Sequence, residues 1–356
     1  VVPAAAVSDA DRPAASRVGV VMAAYNAQRW IGESLATLQA QTVAAWDCVV
    51  VDDGSTDTTR SIVADIAATD PRIVLVARQH VGVAAARNHG LSHLGDSVGI
   101  VMFLDSDDLL LPDALDTLTE HLAIRPDAVG VFGLAEYVNG DGDPVRPGLH
   151  PKLQRARRRV RGLRFRPLLA GEDSTFGDIA VYGPIWPSAV GLHRRSVLDA
   201  VGGCDPELRL LSDWDLYIRM SRRGPFAMVD RQVAWYRRHD ANLTKDPVDN
   251  AVGHAVVVQK AWLEADNTPA QRRLIARALW LTRAADTPML TRTVLGAIRR
   301  GDRRHAWRAT KALMGHASTL TLIKLRRATL RTIQRTLEAP PTTTPTNSRG
   351  RAEAGS

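Results

Sequence analysis

Four short runs of apolar, largely β-branched residues mark the first third of the chain: VGVVMAA (18–24), CVVVDD (48–53), RIVLVA (72–77) and VGIVMFLD (98–105). Each is nearly continuous rather than alternating, which is the pattern of a strand buried on both faces of a parallel sheet. Helix-like stretches separate them near 29–41, 57–69, 82–94 and 111–123, so residues 18–130 read as βα units on a mostly parallel sheet. The third helix follows Gly82, and Pro112 falls in the first turn of the fourth, where a missing backbone N–H costs nothing. In DDGSTD (52–57), Gly54 permits a tight turn, and Ser55 or Asp57 is placed to cap the next helix.

Beyond residue 130 the pattern changes. VGVFGLAEYV reads as a strand and NGDGD (139–143) as a turn, after which some forty residues lack clear periodicity. Residues 194–224 read as helix, loop, helix, followed by strand-like sequence to Tyr236. Residues 250–337 read as helical, and 338–356 are too polar and too rich in Pro and Thr to pack. The expected organisation is a flexible leader (1–17), two halves of one α/β domain (18–130 and 131–249), a basic helical extension (250–337) and a disordered tail (338–356).

Charge sharpens this division. The net charge of +8 is unevenly spread. Residues 1–130 hold seventeen acids against eight bases, 131–259 fifteen against nineteen, and 260–337 four against seventeen. An acidic front repels a phosphate backbone unless a cation intervenes, whereas the basic rear attracts an anionic surface. Lys152–Arg166 alone carries seven arginines and one lysine, which reads as a solvated segment or a contact to phosphate or anionic lipid. With no helix-turn-helix, zinc or aromatic-basic platform, nucleic acid is not the expected partner. Two cysteines, Cys48 and Cys204, make no disulfide framework and have no metal-ligand spacing. No window reaches the roughly eighteen apolar residues a membrane helix requires, and the opening VVPAAAVSDADRP lacks a basic n-region. The expectation is a cytoplasmic protein, peripheral at most on the inner face of the cell membrane.

The carboxylates carry the chemistry. Asp52 and Asp53 close the second strand, while Asp105, Asp107 and Asp108 close the fourth. Ligands of open parallel sheets bind at the carboxyl ends of the strands, so these groups converge on one crevice. In FLDSDD, Asp105 and Asp107 stand two apart across Ser106, and clustered carboxylates repel one another unless a hard divalent cation joins them. A diphosphate bridged by that cation explains how an acidic pocket holds an anion. Tyr25 and Asn26 end the first strand, with a ring and an amide suited to flank a base. Arg87, with Arg78 before it, can fork onto phosphate oxygens or onto the acids themselves. Asp213 and Asp215 stand at a helix start where Ser212 or Asp213 can cap, and a carboxylate there can also take a proton from a hydroxyl. His239 follows a short strand as a companion to an oxygen-rich site, whereas His80, His89 and His150 suggest no role.

Together AAYN (23–26), VVVDDGSTD (49–57), RNHG (87–90), FLDSDD (103–108), SDWDLYIR (212–219) and YRRHDANLT (236–244) resemble, in order and spacing, the family 2 glycosyltransferases of GT-A fold. The resemblance runs from about Val18 to Thr244. It implies a first half that binds a nucleotide-diphosphate sugar and a second that shapes the acceptor site. Tyr25 and Asp53 then match positions that hold the base, with Ala23, Asn26, Arg87 and Ser106 beside them on the donor side. Asp105 matches the residue near ribose and sugar, and Asp107 the ligand to Mg2+ or Mn2+. Asp213 matches the general base, flanked on the acceptor side by Trp214 and Asp215. His239 matches a residue that in some members reaches the metal or the pyrophosphate. Two departures stand out: Ser212-Asp213 where relatives commonly have Glu-Asp, and Ala23-Ala24 where hydroxyl residues or proline are frequent.

The implied activity is inverting transfer from a UDP-sugar, or a dTDP-sugar, to a saccharide or lipid-linked hydroxyl in envelope or polysaccharide synthesis. A nucleotidyltransferase would share the sheet and the acids but favours a Gly/Lys-rich loop after the first strand, where none occurs. A non-enzymatic nucleotide-sugar sensor would not need Asp213. The basic helices of 295–337 fit either an anionic membrane that presents a lipid-linked acceptor or packing on the catalytic domain.

Overall fold

The computed structural model describes residues 17–145 and 171–317. The strands are β1 (Arg17–Ala24), β2 (Trp46–Asp52), β3 (Ile73–Ala77), β4 (Val98–Phe103), β5 (Leu109–Leu110), β6 (Gly130–Val138), β7 (Gly191–Arg194) and β8 (Phe226–Arg237). They form one eight-stranded sheet in the order β3-β2-β1-β4-β7-β6-β8-β5. The pairs β3–β2, β2–β1, β1–β4 and β6–β8 are parallel, whereas β7 runs antiparallel to both β4 and β6 and β5 antiparallel to β8. Because β7 reverses twice, β6 and β8 point the same way as β1–β4. The carboxyl ends of six strands therefore share one edge, and the acids after β2 and β4 meet the segment after β8 there.

The helices of the first half are α1 (Ile31–Gln39), α2 (Thr59–Thr69), α3 (Val83–His93) and α4 (Ala114–Ala123). In α1, Ile31, Leu35 and Leu38 recur at helical spacing and are fully buried, which seats that face on the sheet. Helix α3 lies unusually close: a Cβ on Gly90 would stand 2.4 Å from the Val21 side chain. Closeness of this kind brings Arg87, one turn earlier, to the strand edge. Gly54 has φ +79°, so the turn after β2 uses a backbone conformation that side chains disfavour.

Two local expectations change. Helix α4 begins at Ala114, so Pro112 precedes it, and its carbonyl accepts from the Thr42 N–H. Ahead of α2, Asp57 accepts from the Thr59 N–H and hydroxyl, while the Ser55 hydroxyl accepts from the Asn26 N–H, so Ser55 ties two loops together instead of capping.

The second half adds α5 (Phe176–Tyr182), α6 (Arg195–Ala200) and α7 (Ser212–Met220), then α8 (Pro247–Leu263), α9 (Pro269–Arg299) and α10 (Arg303–Ala317). Asp246 caps α8 and Thr268 caps α9 in a capping box with Gln271, each followed by a proline at the first helical position. Helices α8 and α9 are not a separate appendage. Val257, Val258, Ala261, Ile275 and Ala278 belong to the same buried core as the sheet, and Val248, Ala251, Leu290, Ala309 and Ala312 form a second core among α8, α9 and α10. Packing on the domain thus accounts for the inner faces of the extension. The arginine-rich stretch 152–166, the end of the basic extension and the tail 338–356 lie outside the described residues.

Candidate functional site

At the shared strand edge, Arg87 is the organising group. It is 4% exposed, and its Nη2 donates to Asp105 Oδ1 at 2.7 Å and to Ser188 Oγ at 2.9 Å. The Ser188 hydroxyl in turn donates to Asp213 Oδ2 at 3.2 Å. One buried guanidinium therefore spans the acid that ends β4 and, through one serine, the acid that opens α7. Burial works against the Arg87 charge, but Asp105 and Asp213 more than offset it and raise its pKa. Burial raises the pKa of Asp105 and the Asp107 charge adds to this, against the pull of Arg87.

The acids of FLDSDD divide by environment. Asp108 is fully buried and accepts from the Arg237 N–H at 3.1 Å. Burial, followed by the charges of Asp107 and Asp105, holds its carboxyl well above the usual range. Asp107 faces outward, with Oδ2 2.8 Å from His239 Nε2 and 3.2 Å from Asn242 Nδ2. Since His239 Nδ1 accepts from the Ala241 N–H, the proton of the neutral ring resides on Nε2 and is donated to Asp107. In this arrangement His239 orients the Asp107 carboxylate and stands beside the position read for the metal. Its ring stacks on Trp30 at 3.7 Å, and Trp30 Nε1 donates to the Gly140 carbonyl.

Among the described residues no group of three His, Cys, Asp or Glu is arranged to hold a metal. Asp107, with Asp105 two residues away, suits an ion of the Mg2+ type, which takes one or two carboxylates and fills its remaining positions with phosphate oxygens and water. The residues fit a divalent cation that arrives with a diphosphate.

On the donor side, Tyr25 is half exposed and stacks on His80 at 4.1 Å. Asp53 is 2% exposed and accepts from the Val81 and Gly82 N–H groups, with the His80 ring 2.9 Å away. Its carboxylate thus shapes the 78–82 loop, and His80, for which the sequence suggested no role, touches both Asp53 and Tyr25. Asn26 takes φ +49°, and its Oδ1 accepts from the Thr56 N–H, so its amide braces the turn. Ala23 is partly buried in β1, aligned with Val51 of β2. Ser106 is half-buried between Asp105 and Asp107.

Asp213 sits on the first turn of α7, where neither it nor Ser212 is the cap; Leu211, in the left-handed region, precedes the helix. Asp213, Trp214, Asp105, Ser188 and His239 line a cavity of about 870 Å³. Asp215 does not. It is 3% exposed and paired with Arg219 and Lys260, both at 2.8 Å, so the expectation that it faces the acceptor is replaced by a structural duty: it ties α7 to α8. Sequence reasoning also missed Arg237, 1% exposed. Its guanidinium bonds the Asp107 and Gly140 carbonyls and Glu33, anchoring the acidic loop to α1 and the end of β6. The string YRRH carried the signal, but not which arginine turns inward.

Comparison with known proteins finds relatives in sequence and in fold. The sequence profile of Glycosyl transferase family 2 matches residues 19–179, which contain β1–β4, Arg87 and the FLDSDD acids. Over those residues the chain is similar to glycosyl transferase family 2. Among curated relatives, an uncharacterized glycosyltransferase of Nostoc is 27% identical over 233 residues, covering 64% of this chain and 66% of its own. The Escherichia coli UDP-Glc:alpha-D-GlcNAc-diphosphoundecaprenol beta-1,3-glucosyltransferase WfgD is 32% identical over 125 residues, covering 35% of this chain and 47% of its own. The chain therefore spans about half to two thirds of these relatives. The mannosyltransferase PcManGT of Pyrobaculum calidifontis, solved with GDP-Man and Mn2+, superposes with a TM-score of 0.53 at 19% identity, over 85% of this chain and 86% of that one. This likeness establishes the shared GT-A fold.

Proposed function

We propose that this chain is an inverting glycosyltransferase that moves a sugar from a nucleotide-diphosphate sugar to a hydroxyl of a saccharide or lipid-linked acceptor. The observation that carries the reading is the Arg87 bridge, which holds Asp105 and the Ser188–Asp213 pair on one cavity. Donor-side and acceptor-side carboxylates held by one buried cation are what a single-displacement reaction needs.

Asp213 takes the proton of the acceptor hydroxyl as its oxygen attacks the anomeric carbon. The bond from that carbon to the diphosphate breaks from the opposite face, its electron pair leaves on the nucleoside diphosphate, and the configuration inverts. Asp213 Oδ2 is already engaged by Ser188 and Oδ1 by the Trp214 N–H, so the carboxylate is held rigidly for proton transfer. Mg2+ or Mn2+, held by Asp107 with Asp105 nearby, would supply charge to offset the diphosphate. Within the chain, His239, Asn242 and Arg237 keep the Asp107 carboxylate and its loop in place. Tyr25, backed by His80, offers a face for the base, and Asp53 sets the loop against it.

A UDP-sugar is the favoured donor and a dTDP-sugar the alternative; the UDP-Glc and diphosphoundecaprenol in the name of WfgD support the former and a lipid-linked acceptor in envelope polysaccharide synthesis. No helix among the described residues is long and apolar enough to cross a membrane. The outer faces of α9 and α10 expose Trp280, Leu295, Ile298 and Trp307 among arginines. This composition suits peripheral contact with the anionic cytoplasmic face of a membrane. A screen of UDP-, dTDP- and GDP-sugars for release of the nucleoside diphosphate, with Mg2+, with Mn2+ and with chelator, tests the reading. Metal-dependent release from one donor, lost in Asp107→Asn, supports it; no release from any donor contradicts it.

A further inference from the structure

The cavity that holds Asp105 and Asp213 is closed on one side by the helical extension. Helix α8 contributes Asn250 and His254, and α9 contributes Leu281, Thr282 and Asp286. All lie outside the 19–179 match to the family profile, so this wall is not part of the matched core. Asp286 is 5% exposed, and its Oδ2 lies 3.4 Å from His254 Nδ1. A carboxylate accepts only, so in the neutral ring the pair fixes the Nδ1–H tautomer of His254 and leaves Nε2 as an acceptor. Trp214 holds the imidazole from the other direction: its ring meets His254 edge-on at 5.6 Å, and its Nε1 is anchored on the Ile179 carbonyl at 2.7 Å.

We infer that α8 and α9 build the acceptor subsite, with His254 Nε2 accepting a hydrogen bond from a hydroxyl of a saccharide acceptor and Asp286 positioning the ring. This inference rests on the glycosyltransferase reading and extends it to the acceptor. Three features point to a saccharide. The wall offers polar groups suited to hydroxyls, His254 held by Asp286 and Trp214, and Thr282 beside it in the lining. Elsewhere the cavity presents a cluster of aromatic rings, with Trp186 and Tyr236 perpendicular at 5.9 Å and Tyr137 and Tyr236 at 5.6 Å, an apolar face for the C–H side of a sugar ring. Its volume of about 870 Å³ lies within the roughly 300–1,000 Å³ of small-molecule sites. The donor-side residues Tyr25, Asp53 and His80 do not line it, and Trp214, which does, directly follows the proposed base Asp213. Asp286 and His254 are therefore positioning and specificity residues toward the acceptor.

The experiment uses the full chain and the variants His254→Ala, His254→Gln and Asp286→Asn. Acceptor probes are the octyl glycosides of glucose, galactose, mannose and N-acetylglucosamine, with the donor found in the screen above. Initial rates are measured against acceptor and against donor, beside donor hydrolysis without acceptor. His254→Ala and Asp286→Asn are expected to raise the acceptor KM by about tenfold, the effect of one lost hydrogen bond in a desolvated site, with donor KM and donor hydrolysis unchanged. His254→Gln, which can return an acceptor oxygen near the Nε2 position, is expected to recover most of that loss, as a merely structural histidine would not allow. An unchanged acceptor KM in His254→Ala and Asp286→Asn overturns the inference, as does an equal rise in donor KM. If the parent hydrolyses donor but transfers to none of the four glycosides, the saccharide subsite is overturned while the enzymatic reading stands; loss of both activities in the parent defeats the reading itself.

Discussion

Replacing Arg87 by methionine keeps the length of the side chain and removes the one charge that spans both carboxylates. Deleting one partner of a buried ion pair costs about 3–5 kcal/mol. Asp105 keeps 32% of its side chain exposed, so solvent screening favours the lower end, about 3 kcal/mol. The Ser188 hydroxyl loses a donor as well, about 1 kcal/mol more. A total of about 4 kcal/mol corresponds to a fall in Tm of about 10 °C for a domain of this size. Turnover should fall further than stability alone explains, by about 10²–10³-fold at temperatures where the variant is folded, because preorganisation of the site is lost. Arg87→Lys, which keeps the charge without the fork, should lie between parent and methionine variant. Thermal melts and nucleoside diphosphate release are the two assays. A methionine variant that melts within about 2 °C of the parent and turns over normally would refute the bridge as the organising element.

Other consequences follow from groups away from the reaction. His193, fully buried on β7 among Phe103, Tyr217 and Phe226, has its pKa pushed down to about 3 by burial, with Arg87 adding to the effect. The unfolded chain binds a proton near pH 6.5 and the folded one does not, so stability is full above that pH and declines as pH falls toward 3, by about 2 kcal/mol at pH 5. His193→Leu should flatten this slope in denaturant titrations at pH 5 and 7.5; an unchanged slope would contradict it. Asp215→Ala leaves Arg219 and Lys260 without their shared carboxylate and should cost about 3 kcal/mol with turnover retained in the folded fraction. Direct loss of activity without loss of Tm would return Asp215 to the acceptor site. Vesicle sedimentation with anionic lipid should retain the parent and lose Trp280→Ser/Trp307→Ser; equal sedimentation of both would remove the membrane contact.

The strands of the first half were legible because each is apolar on both faces, and β1 to β4 begin and end within about two residues of the expected runs. The edge that gathers Asp53 and Asp105 followed from the parallel arrangement. What periodicity does not encode is the meeting of distant segments. Asp107 and His239 lie 132 positions apart and touch because β8 runs parallel to β6, a pairing no local pattern specifies. Arg237 and Arg238 are identical in type, yet one is buried beneath the acidic loop and the other rests over Tyr137. The two acids of SDWD differ only in which side of α7 they occupy, and a two-residue offset on a helix turns them about 200° apart. The extension was legible as helical and basic, but its inner face lines the cavity through an isolated histidine and an aspartate that no motif marked.

Asp213 is proposed to remove the acceptor proton, and it is linked to the donor-side Asp105 only through Ser188 and Arg87. Acceptor-dependent release of nucleoside diphosphate by Asp213→Asn, measured beside the parent at saturating donor and acceptor, tests this most directly. The expected result is a fall in turnover of about 10²–10⁴-fold with the donor KM within about threefold of the parent, since uniform binding is untouched. Turnover at the parent's level would contradict the assignment.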